Sequence, residues 1–207
     1  MATQTLEVAP PAAEPPRFER AYRLSVDQYH RMGAAGILGP DDRVELLEGL
    51  LVVKMSKNPG HILATDLFED LLHRLVPAGF FTSMGNPVAI EVRNSEPEPD
   101  AQVVRGNPRD YTGRRRGPQD SALVVEVADS SYAQDRRFKL AIYAAARVPI
   151  YLLLDLNGRR LEAFSDPIGE GQAATYQTHR SYGPDEEVPL ILDGREVARF
   201  LVRDVLP

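Results

Sequence analysis

The chain has 207 residues, with 24 Lys and Arg against 30 Asp and Glu, four His and no Cys or Trp. That length suits one domain with a sizeable core. The absence of cysteine excludes disulfides, thiolate metal sites and cysteine nucleophiles. The formal charge of −6 argues against a protein that coats nucleic acid through a broad basic surface, but not against an enzyme that visits it briefly. No apolar run approaches the ~20 residues of a membrane span, and the N-terminus has no basic-then-apolar signal pattern. The expectation is a soluble, cytoplasmic protein that does not engage membranes.

Residues 1–18 are rich in Ala, Pro and Glu and are expected to form a flexible tail before a single domain over 19–207. Ser25 and Gln28 make a capping box, flanked by a Leu24–Tyr29 staple, so a short helix should run from Val26 to about Gly33. Arg43 to Met55 reads as two short strands joined by a Glu48-Gly49 turn. Asn58-Pro59 is an N-cap followed by proline at the first helical position. Behind it Leu63, Leu67, Leu71 and Leu75, with Phe68 and Leu72, form an apolar stripe of helical period that ends at Pro77 and Gly79. Strands are expected at Phe80–Ser83, Pro87–Val92 and Asp100–Val104, and a loop over Asn107–Asp120.

Ala122 to Val127 is apolar on both faces, as a strand covered on both sides should be. A helix over Tyr132–Ala146 and a second apolar strand over Ile150–Asp155 complete a crossover unit, so the two strands should be parallel. Antiparallel strands at Arg160–Phe164, Ala174–Ser181 and Val188–Leu192, then a short helix over Gly194–Phe200, should close the chain. The fold class is mixed α/β.

Glu126 lies near the carboxyl end of an otherwise apolar strand, where a carboxylate costs several kcal/mol unless paired, protonated or metal-bound. A solvent-facing strand end or an ion pair is the plain alternative. Asp100 opens the preceding strand, and adjacent strands can bring both carboxylates together, which repel unless a cation sits between them. Oxygen-only ligands suit Mg²⁺ or Mn²⁺. Asp135, Lys139 and Tyr143 recur every four residues on one helix face. Lys139 is therefore either a phosphate- or water-holding ammonium or a surface partner of Asp135. Glu48 is a turn carboxylate or a third acid near the metal. Arg114-Arg115-Arg116 is a solvated run or a backbone-phosphate contact. His61, in the first turn of its helix, reads more as capping or surface than as catalytic.

Together the segments Glu45-Leu46-Leu47-Glu48-Gly49 with His61, Glu98-Pro99-Asp100-Ala101-Gln102-Val103-Val104, Val124-Val125-Glu126-Val127 with Lys139 and Tyr143, and Tyr151-Leu152-Leu153-Leu154-Asp155 resemble the Uma-two family of bacterial proteins described as restriction endonucleases. The resemblance implies a restriction-endonuclease-like core of the PD-(D/E)XK kind, with flanking helices and extra antiparallel strands. Carried over, Asp100 and Glu126 are the motif acids. The motif lysine is absent at position 128, which is Ala, and its role falls to Lys139 on the following helix.

The implied activity is metal-dependent phosphodiester hydrolysis. Asp100, Glu126 and the Val127 carbonyl would hold Mg²⁺ (or Mn²⁺), Lys139 would orient water, and Glu48 would act through a water or a second metal. The substrate would be nucleic acid, DNA first, and the protein a homodimer or higher homo-oligomer. Two rivals stand beside this. One is a catalytically silent nuclease fold used for binding or assembly. The other is a two-carboxylate glycosidase, which the lack of Trp disfavours.

Overall fold

The computed structural model describes residues 21–39 and 41–207. The expected tail over residues 1–18 lies outside them. Helix α1, Val26–Ala34, begins as anticipated: the Ser25 side chain accepts from the Gln28 amide, and the Gln28 side chain accepts from the Ser25 amide. Strands β1, Val44–Leu47, and β2, Leu50–Val53, form the first hairpin. Its turn places Glu48 at φ 52° and Gly49 at φ 75°. The tight turn needs that left-handed pair. A side chain at Gly49 would also run into Arg23 and the Leu24 carbonyl.

Helix α2, Pro59–Leu75, is capped by Asn58, whose side chain accepts from the His61 amide at 2.8 Å. Its buried stripe is Ala64, Phe68, Leu71 and Leu72. Leu63, at the start of the expected stripe, is instead exposed.

Six strands form one sheet in the order β3-β4-β5-β6-β7-β8. They are β3, Phe80–Met84; β4, Ala101–Arg105; β5, Ser121–Ala128; β6, Ile150–Asp155; β7, Arg160–Ile168; and β8, Thr175–Tyr182. Only β5 and β6 pair in parallel, as the crossover reading requires; their neighbours pair antiparallel. Every residue of β5 is buried, because both sheet faces are covered. On one face α2 packs through Phe68, Leu71 and Leu72 against Val125, Val127 and Leu154. On the other, the crossover helix packs through Ile142, Tyr143 and Ala144 against Val124, Tyr151 and Leu153, together with Leu47 of the first hairpin.

The crossover helix has three parts: α3, Tyr132–Gln134; a π turn, Asp135–Lys139; and α4, Leu140–Ala145. A π turn inserts one residue into the helical repeat and is frequent at functional sites.

Two expected elements are corrected. Pro87–Val92 is not a strand. Val88 and Ile90 donate back to Pro97 and Ser95 of the same loop, and Glu91–Arg93 form a single 3₁₀ turn. Val88, Ala89 and Ile90 are buried under the fold, not laid in a ladder, and Val92 is exposed. Gly194–Phe200 is not a helix. Asp193 and Gly194 take φ 49° and 75°, and Arg195–Leu201 returns as strand β10 against β9, Glu187–Leu192. Asp-Gly between alternating apolar residues is a hairpin signal, and it outweighs the weak helical pattern.

Candidate active site

The antiparallel ladder pairs Ala101 of β4 with Val125 of β5. One step further Asp100 comes opposite Glu126, just where β4 begins and β5 nears its carboxyl end. Asp100 is 7% exposed and bridges the gap itself: its Oδ2 accepts from the Val127 amide at 2.8 Å. Its Oδ1 accepts from Lys57 Nζ at 2.7 Å, and His61 Nε2 lies 3.3 Å from Oδ2. Burial alone would raise this carboxyl, but the hydrogen bond and charge of His61, with Lys57, outweigh it and hold its pKa at about 2.

Glu126 shares its sheet face with Val124 and Ala128, and so meets the crossover helix. Lys139 Nζ donates to its Oε1 at 3.0 Å and the Tyr143 hydroxyl donates to the same oxygen at 2.8 Å. Among the described residues nothing donates to Oε2. Lys139 is also within 3.5 Å of Glu45 and 3.7 Å of Asp135. One ammonium thus serves three buried carboxylates, an excess of negative charge in a low-dielectric place. Burial pushes the Glu126 carboxyl well up against the pull of Lys139, and Asp135, Asp100 and Glu45 push it further. Burial would lower Lys139, but Glu126, Glu45 and Asp135 reverse that and keep it charged. Asp135 is raised by burial despite Lys139. Glu126 and Asp135 hold protons more tightly first because they are buried and then because acids outnumber the ammonium, and Lys139 does so because of those acids.

These groups line a cleft of about 120 Å³ between β5, the β2–α2 connection and the start of the crossover helix. Asp100, Glu126, Val127 and Lys139 all border it. Glu48 does not. From the hairpin turn its carboxylate pairs with buried Arg93 and lines a separate cavity. The acid that the hairpin delivers to the cleft is Glu45. Two positions along an alternating strand put Glu45 on the face of Leu47, toward the crossover helix. A sequence signal existed, since Glu45 is a carboxylate in the apolar run Val-Glu-Leu-Leu, but Glu48 beside Gly49 drew the reading. His61 belongs to the segments that carry the family resemblance but reads from its position as capping or surface, and Lys57 has no sequence signal that separates it from a surface residue. Arg114, Arg115 and Arg116 are engaged within the fold, by Asp120, Asp27 and the Ser83 hydroxyl.

Among the described residues no group of three or more acids or histidines is close enough to form a ready-made metal cage. The donor chemistry nonetheless fits a hard divalent ion. The acids are buried and offer oxygen donors to the cleft, which His61 also borders, and Lys57, whose side chain is 43% exposed, stands on Asp100 where a cation would.

A family model described as "Putative restriction endonuclease" matches residues 26–198. The chain belongs to the Uma2 family. Among solved structures it is similar to one titled a putative nuclease belonging to DUF820 from Anabaena variabilis. The TM-score is 0.67 and the identity 13%, over 88% of this chain and 97% of that one. At that identity the likeness shows a shared fold, the nuclease-type fold that the Uma2 resemblance implied. No curated protein matches. No helix among the described residues is long and apolar enough to cross a membrane.

Proposed function

We propose that this chain is a divalent-metal-dependent nuclease that hydrolyses phosphodiesters of DNA at the Asp100–Glu126 cleft. The observation that carries the reading is the convergence of Asp100, Glu126 and Lys139, from two strands and a π turn, on one cleft. Membership of the Uma2 family supports it.

Asp100, Glu126 and the Val127 carbonyl would hold Mg²⁺ or Mn²⁺. In an extended strand the amide and carbonyl of one residue point to the same side, so the Val127 carbonyl faces the flank on which Asp100 already takes its amide. When bound, such an ion polarises the phosphate and lowers the pKa of a water near it. The chain's own groups do the rest. Lys57 and His61 keep Asp100 ionised. Tyr143 fixes the rotamer of Glu126 through Oε1 and leaves Oε2 toward the cleft. Glu45 and Asp135 keep Lys139 an ammonium, which positions the attacking water and offsets charge growing on the phosphate oxygens. Water adds its hydroxyl to phosphorus, the bond from phosphorus to one sugar oxygen breaks, and that oxygen leaves with the proton. Glu48, paired with Arg93 outside the cleft, takes no part. Cutting both strands of a duplex takes two such clefts, so a two-fold homodimer is the form that would do so.

The test is Mn²⁺ calorimetry alongside cleavage of plasmid and single-stranded DNA with and without chelator. Binding and cleavage in the native chain, both lost in Asp100→Ala and Glu126→Ala, support the proposal; unchanged Mn²⁺ affinity in both variants removes the ligand assignment. A second reading, a nuclease fold kept for binding, draws on the fact that both Asp100 oxygens already carry protein donors. It predicts DNA binding without Mn²⁺-dependent cleavage.

A further inference from the structure

The sheet carries a second buried carboxylate on the face of Glu126. The ladders pair Glu126 with Leu153 and Leu153 with Glu162, so the two glutamates occupy one cross-strand row. Two strand spacings put their backbones about 10 Å apart.

The surroundings of Glu162 are the reverse of those at the cleft. Its Oε1 accepts from the Tyr132 hydroxyl at 2.5 Å, and its Oε2 takes Arg136 Nε at 3.1 Å and His179 Nε2 at 2.7 Å. Arg160 Nε lies 3.8 Å away, while its Nη2 reaches Asp155 at 2.8 Å and the Tyr132 hydroxyl at 3.0 Å. The Arg136 guanidinium lies over the Phe164 ring at 4.7 Å, and His179 stacks flat on the same ring at 4.5 Å. The Glu162 carboxylate and the Phe164 ring therefore hold Arg136 and His179, and Asp155 and Tyr132 hold Arg160 beside them. Arg136 binds Glu162 through Nε alone, so among the described residues both its terminal nitrogens have no partner. Arg160 likewise keeps Nη1. The side chains of Arg136, Arg160 and His179 are 35%, 41% and 39% exposed. Guanidinium donors oriented at a surface, with terminal nitrogens that among the described residues have no partner, are what a phosphate needs.

We propose that Arg136, Arg160 and His179, gathered on Glu162, form an anion subsite that holds a DNA backbone phosphate beside the Asp100–Glu126 cleft. The inference rests on the nuclease reading for its substrate class. At roughly 3.4 Å of axial rise per nucleotide of one strand, the row spacing sets this phosphate within about three nucleotides of the one to be cut. Tyr132 and Arg136, four residues apart, serve this subsite, and Lys139 and Tyr143, again four apart, serve the cleft. One helix thus holds both stations of a single strand.

The experiment is fluorescence anisotropy with labelled duplex and single-stranded oligonucleotides, in chelator so that nothing is cut, over a series of salt concentrations. Replacing both arginines, Arg136→Gln with Arg160→Gln, should weaken binding about tenfold and reduce the slope of log affinity against log salt by about one, uniformly across sequences. Arg199→Gln, on β10, is the control and should change neither. A folded double variant with native affinity and native slope overturns the subsite, as does capture of an acidic peptide in preference to DNA. Hydrogen exchange on the native chain gives an independent measure should the double variant fail to fold: added DNA should protect the backbone of residues 132–136 and 160–164, and no protection there overturns the proposal. Arginine-dependent binding without Mn²⁺-dependent cleavage leaves the subsite standing and removes the nuclease reading. Cleavage with arginine-independent binding does the reverse.

Discussion

Glu126 and Glu162 are each 3% exposed, on one face of one sheet, and their carboxyls shift in opposite directions. Around Glu126, burial and three neighbouring acids overcome a single ammonium and raise the carboxyl. Around Glu162, burial is opposed by Tyr132, Arg136 and His179, and the carboxyl is lowered. Glu126 is the more deeply enclosed of the two, so burial and the balance of charge within a few ångströms act together to set the difference. One centre is short of positive charge and invites a cation. The other has donors to spare and invites an anion.

The contrast can be broken in several ways. The largest effect should come from Lys139→Met, which leaves three buried acids without their cation and should cost about 3–5 kcal/mol in urea unfolding at pH 7. The loss should shrink as pH falls, because the acids, raised in the folded state, bind protons there before they do in the unfolded chain. A loss under 1 kcal/mol at pH 7 would mean that Lys139 does not balance the cluster. Next is a pair of isosteres. Glu162→Gln removes charge from a centre rich in cations and should cost about 1–3 kcal/mol. Glu126→Gln removes charge from a centre rich in acids and should cost less than about 1 kcal/mol, while abolishing cleavage. The reverse order of stability would undo the comparison.

Asp100 offers a sharper pH test. Its folded pKa of about 2 lies below its ordinary value of 3.8, so it contributes stability above about pH 4 that is lost as pH falls through 2. At about 1.4 kcal/mol per unit this is roughly 2 kcal/mol, and Asp100→Asn should flatten stability against pH across that window. The smallest effect on cleavage is Tyr143→Phe, which removes one donor to Glu126 and should cost about 1 kcal/mol and slow cleavage by about tenfold or less. An unchanged rate would show that Lys139 alone sets the Glu126 rotamer.

The sequence made the centre of the molecule readable because local signals and burial agreed there. The apolar run around Glu126 and the second apolar run to Asp155 specify a parallel pair and its crossover, and with them the places of Asp100 and Lys139. Reading failed where the answer lay in another segment. Glu45 and Glu48 are both acids of one hairpin, and only the strand's facing, set by Leu47 against the crossover helix, separates them. Lys57 and His61 matter because of the start of β4, some forty residues on. The Glu162 centre depends on register between β6, β7 and β8, which no local pattern encodes. The Asp193-Gly194 hairpin is a different kind of failure: its turn chemistry was present and was outweighed by a weak helical pattern.

The π turn at Asp135–Lys139 has an evolutionary consequence. Each helical residue advances the face by about 100°. Loss of a single codon within these five would re-phase the segment, so that a helix still seated on Glu126 by Lys139 and Tyr143 would swing Tyr132 and Arg136 away from Glu162. Point changes along this helix can be absorbed one at a time, but a change in its length would uncouple both charge centres in one event, and lineages that retain both should hold this spacing fixed while the surrounding loops drift.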